Sequence, residues 1–173
     1  MNELKALNKS GLLIMIAAML FFSACGSRKY SARPGGSPST AAKAAEAMSH
    51  LKSKELSRFI NDWTGVQYAL GGLDKRGVDC SGFALLLQRN IYGNELPRRS
   101  RDQADVVNEK AIANLNEGDL VFFSFGGSAV DHVGVYLNNN FFVHASTTRG
   151  VVVDDLSIPA YQRAFVKAGS LKK

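Results

Sequence analysis

The order of elements along this chain predicts an α+β fold, with N-terminal helices packed on a C-terminal antiparallel β-sheet. Three observations lead there. Leu56, Phe59, Ile60 and Trp63 recur at helical spacing, and the largely apolar run from Ala84 to Tyr92, stopped by Gly93, has the length of a buried helix. From Glu117 onward the pattern changes to short stretches in which apolar and other residues alternate, separated by Gly and Asn clusters.

The chain has 173 residues, 46% of them hydrophobic and 21% charged, which is the make-up of a folded globular protein with a real core. Its net charge of +6 suits an acidic polymer or surface. No basic run interleaved with aromatics marks a nucleic-acid site, so nucleic acid is excluded as a partner.

Residues 1–24 read as a secretion signal. Lys5 and Lys9 form a charged start, Gly11 to Phe22 is continuously apolar, and Ser23-Ala24 supply small residues before Cys25. That layout resembles a bacterial lipoprotein signal, with Cys25 becoming the lipid-bearing N-terminus and Phe22 standing where Leu is usual. The alternatives are an ordinary cleaved signal or an uncleaved anchor helix. Gly26, rather than Asp, after the cysteine implies the periplasmic face of the outer membrane in the cell envelope. Residues 25–49 are then a flexible linker rich in Arg, Pro, Gly and Ser, with an Ala-rich piece at Ala41 to Met48 expected to be transiently helical. Residues 50–173 form the folded domain.

Within that domain the first helix carries Leu51, Leu56, Phe59, Ile60 and Trp63 and closes at Gly65. His50, at the domain edge, has no partner in sequence. Gly65 to Gly72 reads as a short strand entering a glycine turn. Tyr68 on it either packs in the core or turns its hydroxyl toward the cysteine loop. Ser100 and Gln103 form a capping-box pattern for a helix through Val107. Arg98, Arg99 and Arg101 just before it are either a solvated loop or a contact for substrate carboxylates. Strands are expected at Leu120 to Phe123, His132 to Leu137, Phe141 to Ser146, Val151 to Val153 and Arg163 to Lys167.

The chemistry concentrates at Val78-Asp79-Cys80-Ser81-Gly82-Phe83, where a glycine-rich loop becomes a helix. A helix N-terminus favours thiolate over thiol, and thiolate is the nucleophile. Ser81 and Gly82 are small enough for a substrate to approach the first turn. With Cys25 otherwise explained, Cys80 is a single thiol in an exported protein. A thiol nucleophile needs a proton acceptor. A three-residue loop at Asn138 to Asn140 pairs Leu137 with Phe141, Val135 with Val143 and Val133 with Ala145, which gathers these six apolar residues on one face. His132 and His144 then fall on the opposite face as diagonal neighbours, whereas a two-residue loop would separate them. His132, with Gly134 and Asp131 leaving its surroundings open, is the candidate base, and His144 the candidate that orients it. The set contains no carboxylate.

Six segments together resemble the NlpC-type cell-wall cysteine peptidases: Tyr68-Ala69-Leu70-Gly71-Gly72, Asp79-Cys80-Ser81-Gly82-Phe83, Leu96-Pro97-Arg98, Gly118-Asp119-Leu120-Val121-Phe122-Phe123, Asp131-His132-Val133-Gly134-Val135-Tyr136 and Val143-His144-Ala145-Ser146. They stand in the family's order. The short layout is similar to that of single-domain murein endopeptidase lipoproteins. The resemblance implies a papain-like core and hydrolysis of amide bonds in peptidoglycan stem peptides or their crosslinks by a monomer held to a membrane through its N-terminal lipid. It implies Cys80 as nucleophile, His132 as base and His144 as the residue orienting it, with Tyr68 and the Cys80 N–H at the oxyanion and Asp79, Ser81 and Arg98 near the substrate groove. No cofactor or metal is implied. Leu70 stands where Trp is common and Arg99 where a small polar residue is common, which bears on the subsites.

Three rival readings remain open in the sequence: zinc held by Cys80, His132 and His144, an inactive wall-binding lipoprotein, and an amidase or acyltransferase using the same triad. Related lipid-modifying families place histidine before cysteine, whereas here Cys80 comes first.

Overall fold

A computed structural model of the chain describes residues 39–172. The signal segment, Cys25 and the linker up to residue 38 lie outside the described residues. Among the described residues no helix is long and apolar enough to cross a membrane.

The first helix, α1 (Thr40–Ser49), starts where the Ser39 hydroxyl accepts the Ala42 N–H. It lies within the stretch expected to be linker, as a helix of ten residues with contacts of its own. Ala47 is buried, and Asn138 donates to its carbonyl at 2.9 Å. Helix α2 (Lys54–Trp63) is capped by Ser53, which accepts from Leu56 N–H, and buries Leu56, Ile60 and Trp63 along one stripe. Leu51 precedes the cap and stays outside the helix.

From Gly65 the chain makes no regular strand. Tyr68 forms one isolated bridge with Val78, because Gly65 and Gly71, both at positive φ, bend the backbone on either side. A small hairpin, β1 (Leu73–Asp74) with β2 (Gly77–Val78), leads into α3 (Cys80–Leu87). Helix α3 is apolar on nearly every side and correspondingly buried. Phe83 on it packs against Trp63 and Phe59 with ring centroids 5.9 and 6.0 Å away. A π-turn at Gln88–Tyr92 ends the helix before Gly93.

The capping box expected at Ser100 does not form. Helix α4 (Ser100–Asp105) has Arg99 at its N-cap and no side-chain cap bond. Gln103 instead points inward, fully buried, and donates to the carbonyls of Ser81 and Pro97. The helix stops early because Val107 already belongs to strand β3 (Val107–Glu109).

The remaining strands are β4 (Leu120–Phe123), β5 (His132–Tyr136), β6 (Phe141–Ser146), β7 (Gly150–Asp155) and β8 (Phe165–Leu171). With β3 they form one six-stranded sheet in the order β3-β8-β4-β5-β6-β7, every pair antiparallel. Arg163, expected in the last strand, lies instead in helix α5 (Pro159–Ala164), which Pro159 opens, and the strand begins at Phe165. The β5–β6 hairpin has the expected register, Val135 opposite Val143, with Asn139 and Asn140 at positive φ in its loop.

One sheet face joins the helices through Val133, Val135, Leu137, Val143 and Ala145. The opposite face is not open. Val121, Phe123, Tyr136 and Phe142 are buried there with Leu156, Ala164 and Ala168. The histidine-bearing face is therefore covered too. Phe83 is the test of the helix layer: Phe83→Ala should lower the unfolding free energy by about 3–5 kcal/mol in urea denaturation, and a change below ~1 kcal/mol would contradict its central place.

Candidate active site

Asp79 organises the start of α3. Its carboxylate accepts the Gly82 N–H at 2.7 Å as the helix cap, and the Gly71 N–H at 2.7 Å from the preceding loop. Arg98 closes on it with two bonds of 2.9 and 2.6 Å and reaches the Ser81 hydroxyl at 3.0 Å. Burial raises the Asp79 pKa, but these bonds outweigh it and hold the carboxyl below its usual 3.8. Asp79, Ser81 and Arg98 thus form one bonded unit under the cysteine loop. Gly82 is small for a different reason from the one expected. A Cβ there would sit 2.5 Å from the Gly72 carbonyl oxygen, so the glycine admits its own loop rather than a substrate.

The sulfur of Cys80 lies at the beginning of β5. The Asp131 carbonyl is 4.0 Å away, and the Val133 N–H acts on the thiol, so the strand on either side of His132 flanks it. Burial pushes this thiol up to about 11, more than the N–H groups of Val133 and Ser81 lower it. Desolvation, which favours the neutral thiol, thus opposes the helix N-terminus, which favours thiolate.

His132 and His144 meet as the register requires, Nε2 to Nδ1 at 2.7 Å, with ring planes nearly perpendicular. His132 is not in open surroundings. It is 8% exposed, with the Phe125 ring edge-on at 5.7 Å and Phe123 at 6.0 Å. Burial, and next the proximity of His144, push its pKa down to about 3. Burial likewise lowers that of His144, partly opposed by Asp154.

A carboxylate stands behind the pair, against expectation. The Asp154 carboxylate is 2.9 Å from His144 Nε2 and also accepts from Arg149 and the Tyr161 hydroxyl. Burial raises the Asp154 pKa, yet hydrogen bonds from His144, Arg149 and Tyr161 outweigh it and hold the group well below 3.8. A signal for Asp154 existed. A second three-residue loop, Thr147 to Arg149, pairs Ser146 with Gly150, His144 with Val152 and Phe142 with Asp154. That sets Asp154 diagonal to His144, the same geometry that joins the two histidines.

Two grooves flank this arrangement. One is lined by Asp79, Cys80, Ser81, Arg98 and Arg99. The other, about 910 Å³, is lined by His132, His144, Ser146, Arg149 and Tyr161. Tyr68 and Asp131 line both and stand at their junction. Tyr68 thus lines the site while also packing against the core. Burial, then the neighbouring Cys80 and Asp79, raise its pKa, so its hydroxyl keeps its proton and can donate. Leu70 is 87% exposed on the rim, and Arg99 is paired with Asp102. Among the described residues no group of three or more His, Cys, Asp or Glu could hold a metal ion. The histidines bond nitrogen to nitrogen, a geometry that leaves no place for an ion between them.

A model of the NlpC/P60 family matches residues 65–170, which carry all of these groups except the α1–α2 support. The chain belongs to the NlpC/P60 family. It is 42% identical over 118 residues to the murein DD-endopeptidase MepS/murein LD-carboxypeptidase of Escherichia coli (strain K12), a match covering 68% of this chain and 62% of that protein. The chain thus spans about three-fifths of the length of that relative. It is 35% identical over 157 residues to the "Probable endopeptidase NlpC" of the same organism, across 90% of this chain and 96% of the other. Among solved structures, an NlpC/P60 family protein from Bacillus cereus superposes with a TM-score of 0.63 at 26% identity, covering 70% of this chain and 41% of that one. The α+β reading and the NlpC-type resemblance both stand.

The buried histidines make stability pH-dependent. Both have folded pKa values below the 6.5 they take when unfolded, so their contribution is fully present above pH 6.5 and declines as the pH falls toward the folded values. His132 should remove on the order of 1 kcal/mol per pH unit in that window, and His144 adds a loss of the same sign. Asp154 adds a further loss below about 4. Urea midpoints at pH 7, 6 and 5 should fall steadily, and a flat series would show that the histidines are not held neutral.

Proposed function

We propose that this chain is a peptidoglycan endopeptidase that hydrolyses amide bonds of murein stem peptides with Cys80 as nucleophile, acting as a monomer without a cofactor. The observation carrying this reading is the 2.7 Å bond between His132 and His144 on the strand whose start flanks the Cys80 sulfur. His144 occupies Nε2 of His132, which leaves Nδ1 as the nitrogen that takes a proton.

In the proposed reaction the thiol proton passes to His132 Nδ1 as sulfur attacks the amide carbonyl. Burial favours the neutral form of both groups, so in this reading transfer accompanies attack. The oxyanion is met by the Cys80 N–H, one of the first-turn donors without a partner in the helix, and by the Tyr68 hydroxyl. The imidazolium returns its proton to the leaving amine. Water, deprotonated by the same nitrogen, then splits the thioester and restores the thiol. Arg98 acts through Asp79, holding the helix start in place beneath the groove.

The D-alanyl–diaminopimelate crosslink is the preferred bond. The 42% identity to a protein named as a murein DD-endopeptidase supports it over the γ-D-glutamyl–diaminopimelate bond. Attachment to the envelope through lipid at Cys25, on the periplasmic side of the outer membrane, is part of the same reading. It is supported by the apolar run Gly11 to Phe22 and the small residues before Cys25.

Incubation of diaminopimelate-type sacculi with the full chain should convert crosslinked dimers to monomers by mass spectrometry, and Cys80→Ala should abolish the conversion. Fragments beginning with diaminopimelate would move the assignment to the within-stem bond. The absence of any Cys80-dependent product would sink the peptidase reading and favour an inactive wall-binding lipoprotein. Separately, a clickable fatty acid should label the wild type in cells but not Cys25→Ser. Equal labelling of both would refute the lipid anchor.

A further inference from the structure

We propose that Asp154, clamped by Arg149 and Tyr161, is a fourth, positioning residue of this site: it sets the protonation of both histidines so that Nδ1 of His132 carries the lone pair. The inference rests on the proposed cysteine chemistry, in which that nitrogen accepts the thiol proton.

The reasoning follows the donors and acceptors in line. An ionised carboxylate only accepts. His144 Nε2, 2.9 Å from Asp154, must therefore carry the hydrogen. His144 is buried and neutral, so its Nδ1 is bare and can only accept. The atom facing that Nδ1 at 2.7 Å is His132 Nε2, which must then be the donor. His132, also neutral, is left with a bare Nδ1. Reversing any member reverses the line: an Nδ1–H on His144 would meet a bare Nε2 on His132 and put the hydrogen on the nitrogen needed as base. Without the carboxylate both arrangements are available, because a pair of neutral imidazoles bonds equally well either way.

Two devices keep Asp154 ionised and fixed. Arg149 leaves the β6–β7 turn and makes two bonds to it, one of 3.0 Å and one shorter. The turn is held by Gly150, at φ +69°, whose missing Cβ would fall 2.3 Å from the Val66 carbonyl oxygen. Tyr161, on α5, donates its hydroxyl to the same carboxylate, and its ring lies edge-on to His144 at 5.7 Å and to Phe142 at 5.0 Å. The carboxylate is 3% exposed and so is shielded from water, while the cation beside it offsets its charge. That balance lets Asp154 orient His144 without turning it into an imidazolium. The other ionisable neighbours do not compete. The Asp131 carboxylate is engaged by the N–H groups of Phe125 and Gly126, and the Cys80 sulfur lies at the Asp131 carbonyl.

The test reads the imidazoles directly. The chain contains three histidines, and the exposed His50 serves as an internal reference. In nitrogen-15 spectra of the full chain at pH 7, His132 and His144 should each show a protonated Nε2 and a bare Nδ1. A protonated Nδ1 on either one overturns the proposal. In Asp154→Asn the tautomers should mix, and alkylation of Cys80 by iodoacetamide at fixed pH should slow about tenfold to a hundredfold. With sacculi as substrate kcat should fall to the same degree, with KM within about twofold. An Asp154→Asn protein that is folded, with wild-type tautomers and alkylation rate, overturns the proposal. Should Asp154→Asn not fold, the wild-type spectrum decides alone. The spectrum and the alkylation need no murein, so a failure to cleave sacculi would strike the assigned substrate and leave the positioning role to be judged on its own data.

Discussion

The site depends on the register of two consecutive hairpins. Three-residue loops at Asn138 to Asn140 and Thr147 to Arg149 set β5, β6 and β7 so that His132, His144 and Asp154 fall on one face in diagonal steps. A slip of one residue in either hairpin would turn half of this line to the opposite face. The same register sends Val133, Val135, Val143 and Ala145 to the helix side. The hydrophobic core and the hydrogen-bonded line are therefore specified by one constraint, and burying the first aligns the second.

The second organising feature is the cap of α3. Asp79 joins the helix N-terminus, the glycine loop and Arg98 in a single set of bonds, and Cys80 is the next residue. The two halves of the fold meet at the start of β5, where the Asp131 carbonyl and the Val133 N–H flank the sulfur. Both halves bury an ionised carboxylate, and both answer it with an arginine: Arg98 for Asp79, Arg149 for Asp154. Burial instead favours the neutral form of the reactive thiol and imidazole between them. Charge is thus placed in the supports, where it fixes geometry, and disfavoured by burial on the reacting atoms.

Where local patterns misled, tertiary packing was the cause. Ser100 and Gln103 have the spacing of a capping box, but Gln103 is drawn into the core to satisfy the carbonyls of Ser81 and Pro97. Gly82 suggested access for a substrate, whereas its space is filled by the Gly72 carbonyl. The Ala-rich stretch before His50 has little apolar surface of its own, yet it is helical and buries Ala47 against the domain. In each case a distant segment supplied a partner that no local window contains.

The sequence by itself determined the α+β order, the β5–β6 register and the meeting of His132 with His144, because alternation with period two and loop length are local properties that leave one solution once the apolar residues are buried. It also determined Cys80 at a helix start, through the glycine-rich loop before it and the apolar run that follows. The tertiary structure decided how far the thiol is desolvated, since burial depends on everything packed around the helix end rather than on the helix itself. It also decided the surroundings of Asp154. The register alone could place that carboxylate beside His144, but only the folding of α5 and of the Arg149 turn over it supplies the hydroxyl and the guanidinium that let a carboxylate remain ionised out of water.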